Sequence, residues 1–261
     1  MLSNINLEYA LGKHIGIYPL NLDKIEGASV DLTASQYAFS VNRKESVVKT
    51  GMITIDPSDT VIVFSNESIS LDNHYAGSCY NRISFSMKGI LHASSPLKPN
   101  YTGRFSVTLY NTSPNPVTIQ VNDSIVVVMF QKLDKPATKT QGNGNGSRFD
   151  LLQALNINVT DEEARTAIKE FDDRTKLLQA MKESEEFRKI RKRTFLNRLK
   201  YWVLLISVVI ATMIFLTPSV NNFSSDFKSL LIAIGGGTVS AILGGIVLLF
   251  IESIVSQRWL K

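Results

Sequence analysis

Cysteine is almost missing from this chain: Cys79 is the only one in 261 residues. A single thiol excludes an intramolecular disulfide and suits a reducing compartment. Histidine is scarce as well. His14, His74 and His92 do not stand at the spacing of a metal-binding motif, so no metal and no cofactor is expected. The sequence has no Walker loop and no Ser-His-Asp arrangement. Its opening stretch, MLSNINLEYALGKH, lacks the apolar core of a secretory signal. Without export, Asn-x-Ser/Thr matches such as the one at Asn66 are chance occurrences.

Acid is absent from one stretch, and all charge from two others. Residues 188–200, RKIRKRTFLNRLK, hold seven basic side chains and no acid. The net charge of the whole chain is only +5, so the remainder is slightly acidic and the basic character is local. Such a run can meet nucleic acid or the anionic face of a membrane. The residues after it decide for the membrane. Residues 201–220, YWVLLISVVIATMIFLTPSV, carry no charge, and neither do residues 230–251, LLIAIGGGTVSAILGGIVLLFI. At about 1.5 Å per residue, each run suffices for a hydrocarbon core of roughly 30 Å. The pattern predicts two transmembrane helices, with a pair of buried helices in a large soluble protein as the competing reading.

Orientation is set by the flanks. The loop between the spans carries only Asp226 and Lys228, whereas the basic run precedes the first span and Arg258 and Lys261 come after the second. The positive-inside rule then puts the amino-terminal domain and the C-terminus in the cytoplasm. Tyr201, Trp202 and Trp259 fall where interfacial aromatics belong. The second span has two small-residue ladders, one of Gly236, Ser240 and Gly244, the other of Ala233, Gly237, Ala241 and Gly245. Small faces let helices approach closely in lipid. They predict oligomerisation, with packing against the first span as the alternative.

Residues 1–135 read as an all-β domain. Short alternating or apolar runs recur with turn signals between them: SVDLTAS, YAFSV, GMITI, TVIVF, RISFSM, RFSVTLYN, PVTIQV and SIVVVMF. That spacing predicts a barrel or jelly roll. Residues 136–159 open with the Gly/Asn-rich PATKTQGNGNGSR and read as an arm or linker. Residues 160–200 read as a helical stalk ending in the basic run. Thr160 and Glu163 make a capping box, and no Gly or Pro occurs until Pro218. Ala164, Ile168, Phe171, Thr175 and Leu178 lie near a 3.5-residue period, which suits either a short coiled coil or packing against the β domain. As one unbroken helix, residues 161–200 would reach about 60 Å.

The β domain resembles the dCTP deaminase/dUTPase family over about residues 10–149. The carriers are IGIYPLNLDKIEGASVDLTAS, SNESISLDNHYAGSCYNRISFSMKGIL, YTGRFSVTLYN and VNDSIVVVMFQKLDKP, in that order. The second leads into the deaminases' R-S-S-L-A-R-x-G motif. Arg82 and Ser84 match it, but Ile83 replaces the middle Ser and Met87 the final Arg. The resemblance implies a Glu three residues before Asn111, as general acid/base on water; the residue is Thr108. The dUTPase branch implies an Asp three residues before Tyr101; the residue is Lys98. Glu67 and Asp123 are the nearest acids by sequence, should the base be relocated. Asp31 matches a family position and is expected to serve structure.

The resemblance therefore implies a non-catalytic nucleotide binder. Arg82, Ser84 and Lys88 would meet phosphates. Asn81, Asn111 and Gln131 would read polar edges. Phe149 would stack on a base at the end of the Gly-rich arm, unless QGNGNGSRF is a plain linker. The family's usual homotrimer implies a homo-oligomer. The whole reads as a nucleotide or cyclic-nucleotide sensor with no nucleic-acid partner, held in a bacterial inner membrane. Its hairpin would act on lipid, an arrangement suited to anti-phage defence. A tethered deaminase or diphosphatase and a non-binding trimeric scaffold are the alternatives.

Overall fold

A computed structural model describes residues 1–93, 96–138, 147–157, 159 and 162–215, with the side chains of 149, 198 and 209–215 outside that description. The chain divides into two units, Met1–Ile190 and Arg191–Lys261.

The first unit opens with helix α1 (Asn4–Ala10) and strands β1 (Ile15–Tyr18), β2 (Ile25–Glu26), β3 (Ser29–Ser40), β4 (Val48–Lys49), β5 (Met52–Ile55) and β6 (Thr60–Leu71). Then come β7 (Tyr75–Asn81), helix α2 (Ile83–Ser86), β8 (Ile90–His92), β9 (Pro96–Leu97), β10 (Thr102–Asn111), β11 (Val117–Gln120) and β12 (Ser124–Lys132). Helices α3 (Phe149–Ala154), α4 (Glu162–Lys169), α5 (Arg174–Glu183) and α6 (Glu185–Phe215) complete the order.

The larger sheet runs β8-β10-β6-β3-β12-β7-β9, with β1 on β6 and β2 on β3; a smaller one runs β11-β5-β4. Every strand pairing among the described residues is antiparallel. β3 makes the sheet curl. Its first half pairs with β12 and its second half with β6, and the register shifts between Ala34 and Ala38. A shift of this kind bends a long strand so that it serves two faces. SVDLTAS and YAFSV thus form one bent strand rather than two.

The core obeys period two. On β10, Phe105, Val107 and Leu109 are buried while Thr108 and Tyr110 are exposed. RISFSM departs from the strand reading. Its Ile83, Phe85 and Met87 alternate, but only Phe85 is buried, and the segment closes into the single turn of α2.

The region after the strands is packed on the sheet. Leu152, Ile157, Val159, Ala164 and Ile168 form a second apolar cluster with Phe39, Ile62 and Phe64 on the outside of β3 and β6. Met181, Phe187 and Ile190 join the main core. The Ile17 N–H on β1 donates to Met181 Sδ at 3.3 Å, so α5 covers an edge that would otherwise be open. The tail from 147 is therefore no linker, although residues 139–146 of the Gly/Asn-rich stretch lie outside the described residues.

The 60 Å stalk is replaced by three helices. Asp173 caps α5 by accepting from the Thr175 N–H at 2.7 Å. Ser184 is extended and parts α5 from α6. The buried face of α5 runs through Leu177 and Met181 rather than Thr175.

Of the second unit, residues 191–215 are described, and all are helical. No helix is long and apolar enough to cross a membrane among the described residues. The last residues of the first expected span, 216–220, and the whole of 230–251, with Gly236, Gly237, Ser240, Ala241, Gly244 and Gly245, lie outside them.

Candidate functional site

Register builds the candidate site. Asp31 on β3 lies opposite Val127 on β12, and Val127 lies opposite Tyr80 on β7. Paired residues share a face, so these three form a row outside the sheet, with Arg82 two residues beyond Tyr80. The opposite face, with Val30, Leu32, Cys79, Val126 and Val128, is buried. Burial there pushes the Cys79 thiol up to about 12, which leaves it no thiolate to react with.

Arg82 stands at the N-cap of α2, and its Nη1 donates to Asp31 Oδ2. The two side chains are 32% and 24% exposed. Asn81 holds the turn: its Nδ2 donates to Ser86 Oγ at 2.7 Å and to the Ile90 carbonyl at 2.9 Å. Ser84 and Lys88 are exposed beside it. Arg82, Ser84 and Lys88 thus share one exposed turn, whose donors suit an anion.

The other expected contacts are not gathered there. Asn111 is buried, and its amide is committed to the fold. Nδ2 donates to the Ile55 and Asn115 carbonyls, each at 2.9 Å. Oδ1 accepts from the Ser113 N–H and hydroxyl at 2.9 and 2.7 Å. All four hydrogen-bonding positions of the Asn111 amide are thus used within the fold. Gln131 is exposed and pairs with Ala76, four residues from Tyr80 along β7, about 13 Å at the usual rise. Phe149 begins α3, and its side chain lies outside the described residues.

The catalytic positions can be placed as well. Ser106, Thr108 and Tyr110 share the outer face of β10, opposite Phe64, Ile62 and Thr60 of β6, and Tyr110 also faces Leu91 of β8. None of these paired positions holds a carboxylate. Lys98 is exposed after β9. Ile83 and Met87 on α2 are 79% and 83% exposed.

Residues 2–133 match the family model described as dCTP deaminase-like. This chain belongs to the dCTP deaminase-like family. A dCTP deaminase of Pyrococcus horikoshii is 28% identical over 141 residues, which is 54% of this chain and 90% of that protein. One from Thermococcus gammatolerans is 26% identical over 151 residues, 58% of this chain and 96% of that protein. Among solved structures, the 2'-deoxycytidine 5'-triphosphate deaminase from Agrobacterium tumefaciens aligns with a TM-score of 0.45 at 16% identity. That alignment covers 51% of this chain and 47% of the Agrobacterium chain, about half of each.

Two acids in the dCTP deaminase-like domain were candidates for a relocated base. Glu67 is buried and takes the Thr33 N–H and hydroxyl, both at 2.8 Å, on its two oxygens. Burial raises its pKa above the ordinary 4.5 despite these bonds. Asp123 Oδ2 accepts from the Gln120 N–H at 3.0 Å in the turn between β11 and β12. Both act within the fold.

Sequence reasoning missed two features of the domain. Arg104 ties the tail to the sheet, donating to the Ser65 and Asn66 carbonyls at 3.1 and 3.2 Å and to the Ala167 carbonyl at 3.1 Å. The second is a cluster of His14, Asp72 and His74. The Asp72-x-His74 spacing is visible in the sequence. His14, 58 residues from Asp72, reaches it only through the pairing of β1 with β6.

Proposed function

We propose that the dCTP deaminase-like domain binds a nucleotide without converting it, and that its tail couples that binding to a membrane. The observation that carries this reading is the outer face of β10, which bears Thr108 and no carboxylate at its paired positions. Deamination needs a group that takes a proton from water and returns it. A threonine hydroxyl does not titrate near neutrality, and Glu67 is enclosed by Thr33. The exposed turn keeps Arg82, Ser84 and Lys88, which suit a nucleotide or cyclic-nucleotide phosphate.

The membrane half rests on α6 and the uncharged runs. Beyond Ile190 the helix is basic up to Lys200. Tyr201, Trp202, Val203, Leu204 and Ile206 are then all exposed. A helix apolar on all sides buries itself in lipid or among other helices. The assembly would be a homotrimer in a bacterial inner membrane, with the β domain and C-terminus in the cytoplasm. The hairpin over 201–220 and 230–251 would be the effector, and anti-phage defence the setting.

The test is thermal stability of the full-length chain against deoxynucleotides, ribonucleotides and cyclic nucleotides. Ligand at a hundred times its dissociation constant stabilises the fold by about 2.7 kcal/mol. The shift should vanish in Arg82→Ala. Ligand-dependent leakage of liposomes carrying the protein tests the effector half. A second reading, a membrane-tethered deaminase or diphosphatase, is favoured by the names of the archaeal relatives, which are dCTP deaminases. Release of ammonia or pyrophosphate from dCTP or dUTP decides for it.

A further inference from the structure

The antiparallel pairing of β1 with β6 sets Ile15 opposite Leu71. The residue before one strand and the residue after the other therefore meet, and these are His14 and Asp72. The Asp72 N–H donates to the His14 carbonyl at 3.0 Å. In the turn after β6, Asp72 Oδ1 accepts from the His74 N–H at 2.9 Å. One carboxylate oxygen is thereby fixed. The other, Oδ2, lies 2.6 Å from His14 Nδ1 and 3.7 Å from His74 Nδ1. One ligand atom from each of the three residues lies within 4.8 Å of the others.

The polar atoms here are not satisfied by the protein. His14 Nε2, His74 Nδ1 and the Tyr75 hydroxyl are buried and have no hydrogen-bond partner among the described residues. Tyr75 stacks on His14 with ring centroids 5.2 Å apart. A buried imidazole nitrogen without a partner is destabilising, because it has lost its bond to water and gained none. The orphan His74 Nδ1 and the bonded His14 Nδ1 approach the same Asp72 oxygen, and an occupant between the three would give His74 its missing partner.

We propose that His14, Asp72 and His74 bind a divalent first-row transition ion such as zinc. Two imidazoles and a carboxylate are donors such ions accept. Bonds of about 2.0–2.2 Å place neighbouring donor atoms about 3.3 Å apart in a tetrahedral site. The two separations from Asp72 Oδ2, 2.6 and 3.7 Å, bracket that value. The ion would replace the proton between His14 and Asp72 and draw in His74, leaving a fourth position for water.

One cation opposes this. Arg174 feels the charge of Asp72. Its guanidinium, however, is bound to the carbonyls of Lys13 and His14 at 3.2 and 3.3 Å and approaches Ser70 Oγ at 3.4 Å. It braces the backbone that carries His14 and leaves the Asp72 carboxylate to the histidines. An ion here would staple the segment before β1 to the β6–β7 turn.

The experiment uses the full-length, tag-free chain, stripped with a chelator and titrated with zinc alone and then cobalt alone. The expected result is one ion per chain. Cobalt should gain visible absorption typical of nitrogen and oxygen ligands, and zinc should raise the melting temperature. His74→Ala should weaken binding at least about tenfold and abolish the thermal shift, whereas His92→Ala should change neither. His14→Ala should behave like His74→Ala. Should that more buried substitution fail to fold, the half-exposed His74 still decides the matter. Failure to bind either ion, or binding unchanged in His74→Ala, overturns the proposal and leaves a proton-sharing His–Asp–His cluster.

Discussion

Replacing Asp31 with Asn should tighten nucleotide binding. Arg82 is held by Asp31, and a phosphate must compete for the same guanidinium. The two side chains are 32% and 24% exposed, so solvent screens much of their attraction. A pair in that setting contributes about 1 kcal/mol net. Releasing Arg82 costs the ligand that amount. Asp31→Asn removes the cost and should raise affinity about fivefold, since 1.4 kcal/mol is tenfold. The same change should lower stability by about 1 kcal/mol, or roughly 2–4 °C in a chain of this size. Arg82→Ala removes charge-assisted bonds of about 1.5–3 kcal/mol and should weaken binding roughly ten- to a hundredfold. The double variant should match Arg82→Ala, because Asp31 then has nothing to hold. Calorimetric titration of the full-length chain with whichever nucleotide stabilises it reads all four affinities. If Asp31→Asn instead weakens binding as much as Arg82→Ala, the intact pair is the binding element and Asp31 does not compete with the ligand.

Packing and buried charge set three further outcomes. Glu67 has a folded-state pKa raised above 4.5. Its contribution is therefore complete below about that pH and is lost as pH rises through the folded value. The stability gap between the parent and Glu67→Gln should shrink over that rise, and a gap that widens contradicts the enclosed carboxylate. Gly12 has φ +79°, and a Cβ there would lie 2.5 Å from Phe187 Cζ. Gly12→Ala should cost about 2–4 kcal/mol in a melt, from left-handed strain and the clash together. Leu177→Ala empties a buried site between α5 and β1 and should cost about 2–5 kcal/mol; a loss under about 1 kcal/mol means α5 is not docked in solution.

The β domain was legible because period-two burial is written along β10 and β12, where apolar residues alternate or run together as the faces demand. RISFSM misled for the same reason: its alternation holds in sequence, but only Phe85 finds the core. Local propensity favoured one long helix after 160. The breaks at Asp173 and Ser184 reflect hydroxyl and carboxylate caps that compete with helix continuation, and the tail's apolar residues find their partner on a sheet face that the sequence does not display. Asn111 looked like a ligand reader because an amide can serve either a ligand or a turn. Only the carbonyls of Ile55 and Asn115 reveal which. That Arg82, Ser84 and Lys88 stand together follows from the sequence, because one turn carries all three. The meeting of His14 with Asp72 does not, because it depends on strand register across 58 residues.

The most direct test of binding without conversion is a single-tube measurement. The full-length chain is mixed with an equal amount of dCTP, the bound fraction is measured at equilibrium, and the nucleotide is recovered and identified after prolonged incubation. Binding without conversion predicts dCTP recovered unchanged, and the same tube with a ribonucleotide and a cyclic nucleotide in place of dCTP predicts Arg82-dependent binding of at least one of the three. Recovery of dUTP, dUMP or dCMP would contradict it and identify the protein as an enzyme, and the absence of Arg82-dependent binding of all three would contradict it from the other side.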